Sequence, residues 1–414
     1  MRPLLIAIAL IAGMFLVPGC APQAVDAAGG GDVLGAVLSA SSEAAPAGAP
    51  AVSGEDVSGV PAADPPTESR QTSRTFAGTF SGAGTYRLYD LGPGVRGDGW
   101  TVTVNGSLSG PFVVVLFDAN NNLLMRTYMS YNRMLQHVVR ADTEHVYLGV
   151  MPPAGYDGGT FHLKATLRPG QSVPPPRAQV VWLNFAGGAG VVVHNQEPVS
   201  FAPLRGGMID EMYADATQEI KASIVREMRA DYAAYNVTIL TSDDGPLPDG
   251  PVSVVHFGAR SAGLLGLADD VDNYNQDRSQ AAMVYIENFG PYRTMKLTPE
   301  EMGVMIANVA SHELGHLLGL YHTVNHDDLM DTTGSAWDLA GEQDFRGGAL
   351  EPTVFATGFE DGPALLEQTL GLSSRGAKAG PQAKALQTVR YREIRRLAEE
   401  ELAHACGTCQ HLDE

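Results

Sequence analysis

The most informative part of this sequence, for the fold as well as for chemistry, is Ser311-His312-Glu313-Leu314-Gly315-His316-Leu317-Leu318-Gly319-Leu320-Tyr321-His322. His312 and His316 are four residues apart, so both project from one face of an α-helix within reach of a single metal ion. Gly319 can adopt a backbone conformation closed to other residues, which ends the helix and turns the chain so that His322 supplies a third nitrogen. Three protein ligands leave one position open, which is the arrangement of a catalytic zinc.

The segment before the histidines has the features of a helix start. Thr298 can cap the helix, Pro299 fits its first turn, and Glu301 can close a capping box. We therefore predict a helix from Thr298 to about Leu318. On this helix Glu313 follows the first ligand and is placed to take a proton from an attacking water and pass it to a leaving amine.

The spacing of the histidines argues against coincidence. A bare H-E-x-x-H arises by chance in many chains, and apolar helices also carry histidines for packing. The longer pattern His312-Glu313-x-x-His316-x-x-Gly319-x-x-His322 fixes five positions, which a chain of this size meets by chance on the order of 1 time in 10,000. The sequence therefore predicts zinc binding.

Together with Asp328-Leu329-Met330-Asp331, this pattern resembles the metzincin metallopeptidases. The resemblance covers roughly residues 177–372. It implies zinc bound by the three histidines, Glu313 as general base, and Met330 as the methionine of the Met-turn, an apolar floor beneath the ligands. The alternative for Met330 is an ordinary core methionine.

Departures from the family pattern leave the subfamily open. Thr323 follows the third histidine, and no tyrosine stands two places after Met330. His326 can compete with His322 as the third ligand, although the family spacing favours His322. Proximity in sequence suggests that Tyr321 and Asn325 line the cleft.

The segments around the motif predict an α+β catalytic domain, a twisted mixed sheet with long helices. A buried strand at 179–185 is followed by a helix over about 215–235, because Ile220, Ile224, Met228 and Tyr232 recur every four residues. Strands are predicted at 237–240 and 252–257, with an edge strand at 283–286. Asp361-Gly362-Pro363 opens a closing helix that runs through Leu370.

A small all-β sandwich domain is predicted before the catalytic domain, over residues 76–170. Short apolar runs such as Phe112 to Phe117 alternate there with clusters of Gly, Asn and Pro. The module faintly resembles the pre-peptidase C-terminal type domain of secreted bacterial peptidases, at the level of fold only. A turn is favoured at Asp118-Ala119-Asn120-Asn121-Asn122, with calcium binding as the alternative.

The N-terminus has the layout of an export signal. An apolar run from Leu4 to Val17 is too short to span a bilayer comfortably, and it ends in Pro18-Gly19-Cys20. This resembles the lipobox of bacterial lipoproteins, which implies a signal peptide over 1–20, lipidation of Cys20 and a place in the cell envelope facing the periplasm or cell exterior. The alternative is an ordinary cleaved signal with an incidental cysteine.

Two low-complexity or terminal segments complete the chain. Residues 21–75 are rich in Ala, Gly, Ser and Pro and contain no aromatic residue, which predicts a flexible tether or, alternatively, a cleaved propeptide. Residues 373–414 predict an amphipathic helical tail. Its Cys406 and Cys409 are expected to form a disulfide, with a metal site or free thiols as alternatives.

The net charge of the chain limits the kinds of partner that it can bind. The 47 acidic and 27 basic residues leave a net charge of -20, which argues against nucleic acid as the main partner. The expected partners are a protein or peptide substrate and a membrane reached through the N-terminal lipid. The acidic loop 269–277 can bind calcium, although a solvated loop is favoured.

The motif favours a zinc-dependent endopeptidase that acts on extracytoplasmic proteins through a metal-activated water and a Glu general base. The alternatives are a non-catalytic cell-envelope binding protein that retains the zinc site and an adhesin. Exposure of Trp100, Tyr128 and Tyr131 on one face would favour the adhesin.

Overall fold

The computed structural model describes residues 72–374, apart from residues 83 and 157. The predicted signal peptide with Cys20, and the tail pair Cys406 and Cys409, lie outside the described residues. Among the helices that the model describes, none is long and apolar enough to cross a bilayer. The first strand begins at Thr72, so the last four residues expected in the tether belong to a strand. Their side chains are exposed, and only the pairing of their backbone with another strand shows that these residues form a strand.

Eight strands make up the first part of the described chain, and they form two antiparallel sheets of four strands, ordered β1-β8-β3-β6 and β2-β7-β4-β5. Trp100, Val114 and Phe161 belong to one apolar cluster to which both sheets contribute. The strands are β1 (Thr72–Phe80), β2 (Arg87–Asp90), β3 (Gly99–Ser109), β4 (Phe112–Phe117), β5 (Leu123–Met129), β6 (Leu135–Val138), β7 (Tyr147–Met151) and β8 (Gly159–Arg168).

Strand β4 is buried on both of its faces, since all six of its residues are inaccessible to solvent. Because side chains alternate along a strand, every second residue points away from the partner sheet. Those residues, Val113, Val115 and Phe117, join a second cluster with Leu350 and Phe355. The sheet that contains β4 therefore packs one face on its partner sheet and the other on the C-terminal half of the chain.

The loop between β4 and β5 is a tight turn stabilised by Asp118. The Asp118 carboxylate accepts the backbone N–H groups of Asn120 and Asn122, each at 2.8 Å. Asn121 takes a left-handed conformation with φ of 61°, which asparagine tolerates better than most residues. The carboxylate is thus engaged by the chain itself, as the turn interpretation expects.

A mixed five-stranded sheet organises the second half of the chain, in the order β12-β9-β13-β15-β14. Four strands are parallel, and β14 pairs antiparallel with β15. This confirms the predicted α+β organisation around a mixed sheet. The strands are β9 (Gln179–Asn184), β10 (Gly188–Val191), β11 (Val199–Phe201), β12 (Val237–Thr241), β13 (Val252–Gly258), β14 (Gly266–Ala268), β15 (Ala281–Tyr285), β16 (Gly348–Ala349) and β17 (Phe359–Glu360).

The predicted edge strand at 283–286 was wrong in its position. It corresponds to β15, which lies between β13 and β14, and the short strand β14 forms the edge. Three residues that include Gly266 give too little apolar alternation to be recognised as a strand in the sequence. The edge matters because Gly266 lies against the helix that carries the histidines.

Two long helices cover one face of the mixed sheet. Helices α1 (Thr217–Asp231) and α2 (Pro299–Leu317) contact each other closely, and a Cβ on Gly303 of α2 would lie 2.4 Å from the Ser223 side chain of α1. The β10–β11 hairpin contributes Val193 to a separate cluster with Leu267 and Met283 of the sheet. The helices are α1 (Thr217–Asp231), α2 (Pro299–Leu317), α3 (Ala336–Leu339) and α4 (Gly362–Leu370), with 3₁₀ helices at Gly206–Met208, Glu211–Tyr213 and Ile286–Met295.

Candidate metal centre

Helix α2 provides the rigid base of the site. The Thr298 hydroxyl accepts the backbone N–H of Glu301 at 3.2 Å, and the Glu301 carboxylate accepts the Thr298 N–H at 2.8 Å. This is the predicted capping box, and the helix runs from Pro299 to Leu317. Most of its residues are buried, so tertiary packing rather than intrinsic propensity holds it in place.

The turn after α2 requires a glycine for two separate reasons. Gly319 has a φ of 102°, a conformation that side chains with a Cβ rarely adopt. A Cβ there would also lie 2.8 Å from the backbone nitrogen of Tyr274 and 2.9 Å from the carbonyl oxygen of Asp272. The chain can therefore turn back at this position only because no side chain is present.

The turn brings His322 to the two histidines of α2. The candidate ligand atoms of His312, His316 and His322 all lie within 4.8 Å of one another. The Nε2 atoms of His316 and His322 are 3.0 Å apart. A cluster of three imidazole nitrogens at this spacing is a donor set that zinc accepts.

Hydrogen bonds determine which nitrogen each helix histidine presents. Nδ1 of His312 donates to the carbonyl oxygen of Leu329 at 2.7 Å, and Nδ1 of His316 donates to that of Leu320 at 2.8 Å. A carbonyl oxygen can only accept, so the proton lies on Nδ1 and each Nε2 keeps its lone pair for a metal. Nδ1 of His322 lies 3.8 Å from the carboxylate of Glu351.

Burial keeps the helix histidines in the form that binds metal. It lowers the pKa of His312 to about 3, with a further contribution from the charge of His322. Burial also lowers the pKa of His316 well below its ordinary value. For Glu351, burial alone would raise the pKa, but the nearby His322 imidazole and a hydrogen bond from the Thr353 hydroxyl lower it overall. Neutral imidazoles beside a carboxylate fit a divalent cation.

Glu313 lies between the histidines and the sheet edge. Its side chain is 8% exposed, and burial raises the pKa of its carboxyl to about 8. Within residues 72–374 its carboxylate has no hydrogen-bond partner. A Cβ on Gly266 of β14 would lie 2.3 Å from Oε1 of Glu313, so a glycine at this position leaves space for the carboxylate.

Met330 lies beneath the middle of the motif and is 1% exposed. A Cβ on Gly315 would be 2.7 Å from its sulfur, so the methionine packs directly on α2 between the two helix histidines. Its carbonyl oxygen accepts the Thr323 N–H at 2.9 Å, which ties the segment around Met330 to the residue after His322.

Three neighbours of the motif lie outside the three-histidine cluster. His326 is exposed, and its Nδ1 is 3.8 Å from Asp338. Asn325 donates to the carbonyl oxygen of Gly347. Tyr321 is 5% exposed and packs on Arg126 of β5, so its expected place in the cleft was wrong. Tyr321 therefore contacts the N-terminal sheets, whereas the next residue, His322, lies in the histidine cluster.

Several residues around the site had no recognisable signal in the sequence. Leu320 and Leu329 act through their carbonyl oxygens, which every residue type carries. Glu351 is distant in sequence and approaches His322 only through the fold, where its N–H also donates to the His322 carbonyl at 3.0 Å. Gly266 is one glycine among 47.

Calcium binding by the acidic loop 269–277, the alternative to a solvated loop, is not supported. Asp269 accepts the backbone N–H groups of His194 and Ala281, and Asp272 accepts that of Asp277. These carboxylates hold the loop together through backbone hydrogen bonds. In the part of the chain that the structure describes, the three histidines are the single group of metal-binding side chains that converge.

Comparison with solved structures gives only distant similarities. An archaemetzincin from Methanopyrus kandleri is 13% identical over 41% of this chain and 89% of its own, with a TM-score of 0.24. PliG, a periplasmic inhibitor of g-type lysozyme from Aeromonas hydrophila, is 19% identical over 23% of this chain and 86% of its own, at 0.20. IMPa from Pseudomonas aeruginosa, solved with an O-glycopeptide, is 10% identical over 65% of this chain and 33% of its own, at 0.17. TM-scores this low carry no functional conclusion.

Sequence families give a firmer result. A search of curated proteins gives no match to this chain. The family model described as Matrixin matches residues 183–341, which include four of the five strands of the mixed sheet, α2 and all three histidines. The match covers less than half of the chain, and its extent agrees with the residues around the three-histidine cluster. Residues 183–341 are therefore similar to the matrixin family of metzincin metallopeptidases, and their three-histidine cluster fits a zinc site.

Proposed function

We propose that this protein is a zinc-dependent endopeptidase in which Glu313 is the general base. The observation that carries the proposal is the convergence of three imidazole nitrogens next to a buried carboxylate with no partner in the described residues. His312, His316 and His322 would hold the ion. Zinc, when bound, polarises a peptide carbonyl and makes a water more acidic.

The residues of the chain supply the remaining steps. Glu313 follows the first ligand and lies against β14, where its carboxylate can take a proton from the attacking water and deliver it to the amine that leaves. Burial raises the pKa of the Glu313 carboxyl to about 8, close to neutral pH, where one group can both take up a proton and release it. Met330 supports the arrangement from below, where its side chain packs on Gly315 and keeps the helix histidines in place.

We also propose that residues 76–170 are an accessory β-sandwich domain and that the protein acts at the cell envelope, attached through a lipid on Cys20. The two four-stranded sheets with a common apolar cluster support the first proposal. The second rests on the sequence before residue 72. Under this proposal the substrates are extracytoplasmic proteins or peptides.

An adhesin is the less favoured alternative. Trp100 is 2% exposed and belongs to the apolar cluster between the sheets. Tyr128 lies under the guanidinium of Arg126, and Tyr131 alone of the three aromatic residues is largely exposed. An aromatic binding face on these residues is therefore not supported. A non-catalytic zinc protein has no use for the buried Glu313.

The test compares the wild-type chain with Glu313→Gln, with Glu197→Gln as a matched control at an exposed glutamate. We expect one zinc per chain in all three proteins. Cleavage of casein should fall about 100-fold to 10,000-fold in Glu313→Gln, the range expected for loss of a general base, and should not change in the control. Equal cleavage by wild type and Glu313→Gln would refute the assigned base. Zinc without cleavage in wild type would favour the non-catalytic alternative.

A further inference from the structure

One arginine of the N-terminal sheets is buried against the catalytic half of the chain. Arg126 of β5 is 8% exposed, and its guanidinium carbon lies 4.5 Å from the ring centroid of Tyr128 and 5.3 Å from that of Tyr321. Its Nε donates to the carbonyl oxygen of Val354 at 2.9 Å. Among the described residues no carboxylate forms an ion pair with it.

Both segments that Arg126 contacts are attached to the third histidine. Tyr321 precedes His322, and its hydroxyl donates to Asn273 at 3.2 Å while its backbone N–H donates to the Glu360 carboxylate. The segment of Val354 begins at Glu351, whose N–H donates to the His322 carbonyl and whose carboxylate lies 3.8 Å from the imidazole. Arg126 thus links the residue before His322 to the segment that borders it.

His322 needs this support more than the other two ligands. His312 and His316 lie on a buried helix whose own hydrogen bonds hold them. His322 lies in the irregular segment after α2, where its position depends on tertiary contacts. The apolar cluster of β4 with Leu350 and Phe355 packs beside the same contacts. The N-terminal sheets therefore reach the metal centre through the third ligand.

We propose that Arg126 is a positioning residue that holds His322 in place for zinc. The inference rests on the proposed zinc site and adds a function for the N-terminal sheets, which would act as part of the scaffold of the catalytic centre. Partners that orient metal ligands contribute about 10-fold to 100-fold to metal affinity. Because Arg126 acts through neighbouring residues, we expect an effect near 10-fold.

The chain offers a matched control in Arg140. It is a second arginine between the two parts of the protein, 3.9 Å from the ring centroid of Tyr274, and it donates to the carbonyl oxygens of Pro174 and Gln368. None of these partners adjoins His322 in the sequence. Arg140→Met and Arg126→Met therefore remove the same kind of stacking and hydrogen bonding, and only the second removes contacts next to a ligand.

The experiment measures zinc affinity of the full chain by competition with a chromogenic chelator, and unfolding by urea, for wild type and both variants. We expect both variants to lose stability and Arg126→Met alone to bind zinc about 10-fold more weakly. If Arg126→Met does not fold, Arg126→Lys and Arg140→Lys provide the same comparison, since lysine lacks the planar fork.

Two results would overturn the proposal. One is unchanged zinc affinity in the Arg126 variant, and the other is equal weakening in the Arg140 variant, which would indicate a general loss of stability. Affinity is measured without substrate, so the outcome does not depend on peptidase activity. A wild-type chain that binds no zinc would instead refute the proposed function together with this inference.

Discussion

Gly266→Ala tests the position of Glu313 with the smallest possible change. Gly266 lies in β14 with an ordinary backbone conformation, so alanine fits the strand itself and removes the conformational freedom that makes glycine unfavourable there. The added Cβ, however, would lie 2.3 Å from Oε1 of Glu313 and 2.7 Å from its Cδ. The fold should survive while the carboxylate is displaced.

The size of the displacement follows from these distances. An ordinary contact of a Cβ begins at 3.4 Å, so the carboxylate oxygen must retreat by about 1 Å. A misplacement of about 1 Å in a reacting group reduces the rate by about 100-fold. We therefore expect kcat/KM to fall about 100-fold. Zinc content should not change, because no histidine of the cluster is among the nearest neighbours of the new Cβ.

The assay is cleavage of a fluorogenic peptide or casein, with zinc content and urea unfolding measured on the same samples. Gly245→Ala is the matched control, since a Cβ at that position meets no atom within 4 Å. It should behave as wild type in all three measurements. If Gly266→Ala binds zinc and keeps full activity, the assignment of Glu313 as the general base in its position against β14 is refuted. Loss of zinc in that variant would show that the change reaches the ligands.

Three further predictions concern the support of the site and the fold. Gly319→Ala forces a Cβ into the φ of 102° and against the backbone of Tyr274, so we expect a loss of about 1–3 kcal/mol in urea unfolding together with weaker zinc binding, and wild-type values would contradict this. Met330→Ala should cost about 2–5 kcal/mol in the same measurement and Met330→Leu less than about 1.5, whereas equal losses would refute a packing function. Burial lowers the pKa of His137 to about 3 from 6.5, so below pH 6.5 the unfolded chain binds more protons and stability falls as pH falls. His137→Phe should flatten this slope between pH 6.5 and 5 by up to about 1.4 kcal/mol per pH unit, and an unchanged slope would contradict the assigned burial effect.

The features that the sequence predicted correctly depend on neighbours within one or two turns. The capping box of Thr298 and Glu301, the shared helix face of His312 and His316, and the helix end at Gly319 all follow from local geometry. Helix α1 follows from its four-residue apolar period in the same way. Local periodicity determines these elements whatever the rest of the chain does.

The sequence did not predict features that depend on contacts between segments far apart in the chain. In the mixed sheet β14 lies at the edge and β15 lies inside. The sequence did not predict this order, because the alternation of side chains along a strand does not show which strands are neighbours. Tyr321 was expected in the cleft, yet its side chain meets Arg126, which is 195 residues away. No local pattern distinguishes a buried arginine from an exposed one.

By itself, the sequence of this protein determined the helix of the motif, the three histidines that fit a zinc site, and the position of Glu313 beside them. The tertiary structure alone decided which carbonyl oxygens orient the imidazoles, which glycine makes room for Glu313, and which residues lie behind His322. The reason is physical. Side-chain spacing along a helix is a property of the backbone, whereas a hydrogen-bond partner or a close contact depends on packing between segments far apart in the chain.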